Sequence, residues 1–111
     1  MESTSIAAFK VEVFRVPERL HAGNAKDVLK GIASGPGTSV LLDLADTIAI
    51  DSTALGEIVK LHRRLISSGG SVAFAAPSTG IRKVLGITRL DTIFTIHPTV
   101  DAGLRAAVVV P

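Results

Sequence analysis

The sequence predicts an α/β domain, a sheet of four to five strands with about four helices. Extended and helical patterns alternate through the 111 residues with no linker or repeat between them. Hydrophobic residues make up 47% and aromatics only 4%, so the core must be built from Val, Ile, Leu and Ala, which suits helices laid on a sheet. Gly and Pro punctuate the boundaries at Gly35-Pro36-Gly37, Gly69-Gly70 and Pro98.

Phe9 to Val16 places apolar Phe9, Val11 and Val13 around Lys10 and Glu12, the alternation of a strand. From Ala22 to Ile32, residues Ala25, Val28, Leu29 and Ile32 form one helical stripe, with Lys26, Asp27 and Lys30 outside it. The Gly35-Pro36-Gly37 turn ends that helix, and Ser39 to Leu44 reads as a buried strand. A connection through Ala45-Asp46-Thr47 leads into Ile48-Ala49-Ile50-Asp51-Ser52-Thr53-Ala54-Leu55-Gly56, an apolar strand joined to an amphipathic helix. That helix is expected from about Thr53 to Ser67, with Leu55, Ile58, Leu61 and Leu65 inward, Val59, His62 and Ile66 flanking, and Gly69-Gly70 as its stop. Ser71 to Ala76 is a further strand, and Ser78 after Pro77 caps a short helix through Leu85. Ile93 to Ile96 reads as an edge strand, and Thr99 caps a last helix containing Val100, Leu104 and Ala107. Strands and helices in this order predict parallel strands joined by right-handed crossovers.

A chain of this length forms one domain with one packed core. It contains no cysteine, which excludes disulfides, thiolate zinc sites and cysteine nucleophiles. Twelve basic and ten acidic residues are dispersed along it, a net charge of +2 with no basic stripe, so direct nucleic-acid binding is not expected. The polar start at Met1 to Ser5 lacks the pattern of a signal peptide, and no apolar run approaches the roughly 18 residues of a membrane span, so no membrane insertion is expected and a cytoplasmic location is.

The chemistry gathers at Asp51-Ser52-Thr53. A hydroxyl at a helix N-terminus meets free backbone N–H groups and the positive dipole end, which favour added negative charge. Two readings are open: Asp51 or Ser52 only caps the helix, or Ser52 accepts a phosphate that the helix start tolerates without melting. Thr53 offers a second hydroxyl, aimed elsewhere by the helical turn. Gly56 either lets a partner backbone approach or packs closely on the sheet.

Asp51-Ser52-Thr53-Ala54-Leu55-Gly56 resembles the signature of STAS domains, the family of bacterial anti-sigma factor antagonists, with Ala54 where many members have Gly. Val40 to Leu44 before it, Gly69-Gly70 with Val72 to Ala75 after it, Ile81 to Leu85 and Gly86 to Asp91 extend the resemblance over nearly the whole chain from Phe9. It departs at Glu18-Arg19-Leu20-His21, where members usually read Gly-Glu-Leu-Asp, and in the short segment before Phe9, which leaves only Ser5 to Ala8 for the family's leading hairpin strand.

The resemblance implies a mixed sheet and a partner-switching regulator with no cofactor or catalysis of its own. Ser52 is the implied phosphorylation site, with Thr53 as second choice. The implied partner is a serine kinase anti-sigma factor, bound while Ser52 is unmodified and released when it is phosphorylated. Asp51, Thr53, Gly56, Lys60, His21 and Ser78 are the implied contact residues, on a monomer or weak homodimer. An alternative is a non-switching docking subunit of a membrane transport or lipid-trafficking complex.

Other constellations point elsewhere less specifically. His21, His62 and His97 fall in different elements without the spacing of a helical metal site, so no metal is expected. A hydrolase could be assembled on paper from Ser52, His21 or His62, and Asp43 or Asp91, but no Gly-x-Ser-x-Gly elbow surrounds a serine. A small-molecule site would require a deep polar pocket lined by His21 and Asp51. Phosphate-cradling glycine motifs are absent. Lys60, Arg63 and Arg64, partly paired with Glu57, give the second helix a basic outer face, either simply solvated or suited to an acidic partner surface.

Overall fold

The computed structural model describes residues 10–32 and 37–108. In chain order the elements are β1 (Lys10–Arg15), β2 (Arg19–Leu20), α1 (Ala25–Lys30), β3 (Thr38–Asp43), β4 (Ala49–Ile50), α2 (Ser52–Ser67), β5 (Val72–Ala75), α3 (Thr79–Ile87), a 3-10 turn over Leu90–Thr92, β6 (Thr95–His97) and α4 (Val100–Val108). The main sheet runs β1-β3-β5-β6, and β2 with β4 forms a separate two-stranded sheet. Every described pairing is parallel. The leading strand expected over 5–8, which would make the sheet mixed, lies outside the described residues.

Alternation along the strands divides the interior unequally. Val40 and Leu42 of β3 stand beside Val72 and Phe74 of β5. These four join the main core with Leu29 of α1, Leu55, Ile58, Leu61 and Leu65 of α2, and Ile81 and Leu85 of α3. Phe74 meets Phe94 edge-on at 5.0 Å between ring centroids. On the other face of the sheet, Leu41 is buried beneath α4, where Gly103 approaches it and His97 closely. Three helices thus cover one face and α4 the other.

The turn after α2 brings two chain segments into contact. Gly69 adopts a left-handed φ of 89°, Gly70 N–H donates to the Leu65 carbonyl at 2.7 Å, and Gly37 N–H donates to the Ser68 carbonyl at 2.7 Å. A Cβ on Gly70 would overlap the backbone carbonyl of Thr38. The paired glycines therefore end the helix and also let β3 start alongside it.

The differences from the expected boundaries have local causes. The first helix is confined to Ala25–Lys30 because His21 to Asn24 form hydrogen-bonded turns instead. The last strand begins at Thr95, since Leu90–Thr92 wind into the 3-10 turn and Ile93 and Phe94 N–H groups donate back to the Leu90 carbonyl. Helix α3 continues two residues past Leu85 to Ile87. Ile66, expected to flank the core, is 54% exposed. The Gly35-Pro36 part of the expected turn lies outside the described residues.

Candidate functional site

The site is built on the smaller sheet. Leu20 pairs with Ile50, Ile48 N–H donates to the Glu18 carbonyl at 2.8 Å, and Asp51 N–H donates to the Leu20 carbonyl at 3.1 Å. The buried Thr47 hydroxyl lies 3.2 Å from the Val16 carbonyl and 3.0 Å from that of Pro17, tying this sheet to the exit of β1. Both short strands therefore end together, β2 releasing the His21 to Asn24 loop and β4 releasing Asp51 and α2. Such carboxyl ends of parallel strands are where α/β folds place their sites.

Asp51 joins the two exits. Its Oδ1 accepts from Ala54 N–H at 2.8 Å, the N-cap bond of α2, and its Oδ2 accepts from Ala22 N–H at 2.9 Å. These amides, Ala54 first and then Ala22, hold the Asp51 carboxyl below its ordinary value against the cost of desolvation, with smaller help from His21 and Thr53. The group is therefore an ionised acceptor at neutral pH. The loop it grips is braced internally: His21 N–H donates to Asn24 Oδ1 at 2.9 Å, Asn24 Nδ2 to the Arg19 carbonyl at 2.9 Å, and Gly23 N–H to His21 Nδ1 at 3.0 Å.

Ser52 and Thr53 open α2, and both are exposed, while Ala54 and Leu55 turn into the core. Ser52, Gly56 and Lys60 recur at four-residue spacing, so they share one outward stripe of the helix. Nothing lies within 4 Å of a Cβ built on Gly56, which overturns its reading as a packing contact and leaves open space above the helix. Lys60 Nζ is 3.4 Å from Glu57 Oε2. Ser78 is the N-cap of α3, its Oγ accepting from Ile81 N–H at 3.2 Å. The structure thus joins His21, Asp51, Ser52 and Thr53 at one place, sets Gly56 and Lys60 along the same helix, and puts Ser78 at the start of another.

Two residues of the competing assemblies are held elsewhere. His62 sits midway along α2, its Nδ1 accepting from Val72 N–H at 3.1 Å and its ring 4.6 Å from that of Phe94. Burial pushes its pKa below the ordinary 6.5. Asp43 is buried at the end of β3, accepting from Ala45 N–H at 3.0 Å beside Arg15. Both are committed to structural partners rather than to Ser52. Among the described residues, no three His, Asp or Glu side chains converge as metal ligands. No helix among them is long and apolar enough to cross a membrane. Cavities of about 390 and 320 Å³ are present, and neither is lined by His21 or Asp51.

The Ala22 amide and Asn24 are the residues that sequence reasoning missed. Asn24 was available as a turn signal, since its side chain bonds nearby backbone, but Ala22 to Ile32 reads continuously as a helix. An amide that meets a carboxylate 29 residues away carries no sequence signature.

Comparison with known proteins bears on the family and the fold. A protein of Thermotoga neapolitana, named as a candidate anti-sigma factor antagonist homolog, is 40% identical over 66 residues, 60% of this chain and 58% of the relative. The chain thus matches under two thirds of that relative's length. The crystal structure of a candidate anti-sigma factor antagonist from Thermotoga maritima superposes with a TM-score of 0.73 at 30% identity, covering 87% of this chain and 86% of that one. A sulfate transporter family protein from Wolinella succinogenes has the same fold, with a TM-score of 0.74 at 18% identity over 87% of this chain and 84% of that one. Residues 8–103 match the family described as STAS domain. By that match, the chain belongs to the STAS domain family.

Proposed function

We propose that this protein is an anti-sigma factor antagonist that binds a serine kinase anti-sigma factor through the surface around Ser52 and is released when Ser52 is phosphorylated. The observation that carries this reading is the exposed Ser52 hydroxyl at the first position of a 16-residue helix whose cap, Asp51, is tethered to a second loop. Phosphate there adds roughly −1.5 to −2 charge where helix amides and dipole favour an anion. The fold absorbs the group while the surface changes sign. His21, Thr53, Gly56, Lys60 and Ser78 complete the contact surface, with ATP and magnesium supplied by the partner. The likeness to the Thermotoga proteins supports this assignment, whereas the likeness to the Wolinella protein speaks to the fold alone.

Incubation with a kinase-type anti-sigma factor and ATP, followed by mass-spectrometric mapping, is expected to place phosphate on Ser52. Transfer to Thr53 would move the switch one residue, and transfer to neither would favour a constitutive docking role. In binding assays Ser52→Ala should retain the partner, and Ser52→Asp should weaken it by about tenfold or more, a change of about 1.4 kcal/mol. Equal affinities would contradict the charge argument.

A further inference from the structure

A cleft of about 320 Å³ runs between α1 and α2 on the outer side of the helical layer. Lys26, Asp27 and Lys30 form one wall, Glu57, Lys60 and Arg64 form the other, and the nearly buried Leu29 and Leu61 make its floor. Four cations against two carboxylates give the cleft the same net charge, +2, as the whole chain. The surplus positive charge of the protein is therefore equal to what this one groove holds.

Among the described residues, most of that charge has no partner carboxylate. Glu57 pairs with Lys60, but Lys26, Lys30 and Arg64 have no carboxylate within 4.0 Å among the described residues. Lys26 and Lys30 repeat at four-residue spacing, as do Lys60 and Arg64, so each wall sets like charges beside one another, a mildly destabilising arrangement. Lys30 and Arg64 lie in last helical turns, where the dipole favours a cation. Lys26 stands at the second position of its helix, where the dipole opposes one, and Lys60 is mid-helix.

We propose that the α1–α2 groove docks an acidic helical segment of a protein partner, with carboxylates at four-residue spacing meeting Lys26 and Lys30 on one side and Lys60 and Arg64 on the other. Asp27 and Glu57 interrupt the positive walls, which disfavours a uniformly charged nucleic-acid backbone and suits a segment that also carries a cation or amide. The contact goes beyond the Ser52 switch, with whose proposed surface it shares only Lys60. Eight residues of helix separate Ser52 from Lys60, about 12 Å along the axis, more than the roughly 8 Å screening length at physiological salt. The groove therefore holds its segment whether or not Ser52 is modified.

The test is amide chemical-shift mapping of the full chain with a short synthetic helical peptide bearing glutamates at four-residue spacing. Saturable shifts confined to the residues lining the groove are expected, with affinity about tenfold lower in a Lys26→Gln, Arg64→Gln double variant and lost progressively as salt rises. Ser52→Asp should bind the peptide as tightly as the parent. Shifts elsewhere, no saturation, or equal binding of a scrambled peptide of the same composition would overturn the proposal. Tighter binding of a single-stranded oligonucleotide in the same salt would do so in favour of nucleic acid. None of these failures touches the Ser52 reading, which phosphate mapping decides.

Discussion

Gly56 and Gly70 make opposite demands on a side chain. Gly56 sits inside α2 with open space above it, so Gly56→Ala should raise stability by about 0.5–1 kcal/mol through helix propensity. If the stripe from Ser52 through Gly56 is the contact surface, the same substitution should weaken partner binding, a gain and a loss that denaturant melts and titration would separate. Gly70 faces the carbonyl of Thr38, which belongs to a sheet strand and cannot swing away as a flexible side chain would. Gly70→Ala should therefore cost about 1–3 kcal/mol, towards the upper end, in the same melts. Both residues look alike as sequence, one glycine in a helical pattern and one in a helix stop. Only the space around them separates the two outcomes.

Helix α2 links the candidate site to the core through His62, nearly three turns beyond Ser52. The ring is held between the Val72 amide and Phe94, and burial depresses its pKa below 6.5. A depressed histidine pKa means the folded state binds fewer protons than the unfolded chain as acid is added. The His62 contribution is thus fully present above the ordinary value of 6.5 and is lost as pH falls through the lower folded value. Denaturant midpoints measured from neutral pH downward should decline across that window. In His62→Gln, which keeps an acceptor but cannot charge, the decline should be shallower; identical profiles would show that His62 does not carry the effect. The inward positions of α2 were legible from period alone, since Leu55, Ile58, Leu61 and Leu65 are all buried. The role of His62 was not, because its partners come from β5 and the segment before β6.

The molecule as a whole is covered unevenly, with α1, α2 and α3 on one face of the main sheet and α4 on the other. That second layer depends on close approach at Gly103, where a Cβ would meet Leu41 Cδ2 at 2.7 Å and His97 Cδ2 at 3.2 Å. Gly103→Ala should lift α4 and cost about 1–3 kcal/mol, less if the end of Leu41 rotates aside, with faster amide exchange in α4 as the local sign. An unfolding midpoint within error of the parent would mean that α4 contributes little to this face.

Periodicity, glycine punctuation and one motif were enough to determine the α/β class, the four helices with the inward stripes of α1 and α2, the four strands of the main sheet and the hydroxyls that open α2 at Asp51-Ser52-Thr53. These are properties of residues close together in the chain, where a period of two or 3.6 and a capping side chain act locally. The two-residue strands β2 and β4 were beyond reach as a pair, because two residues carry no period and their register is set by partners 30 positions away. The same holds for the Ala22 amide on Asp51, and for the cationic groove, whose walls come from separate helices. Tertiary packing decided those features, since only it sets which distant backbone groups and charges become neighbours.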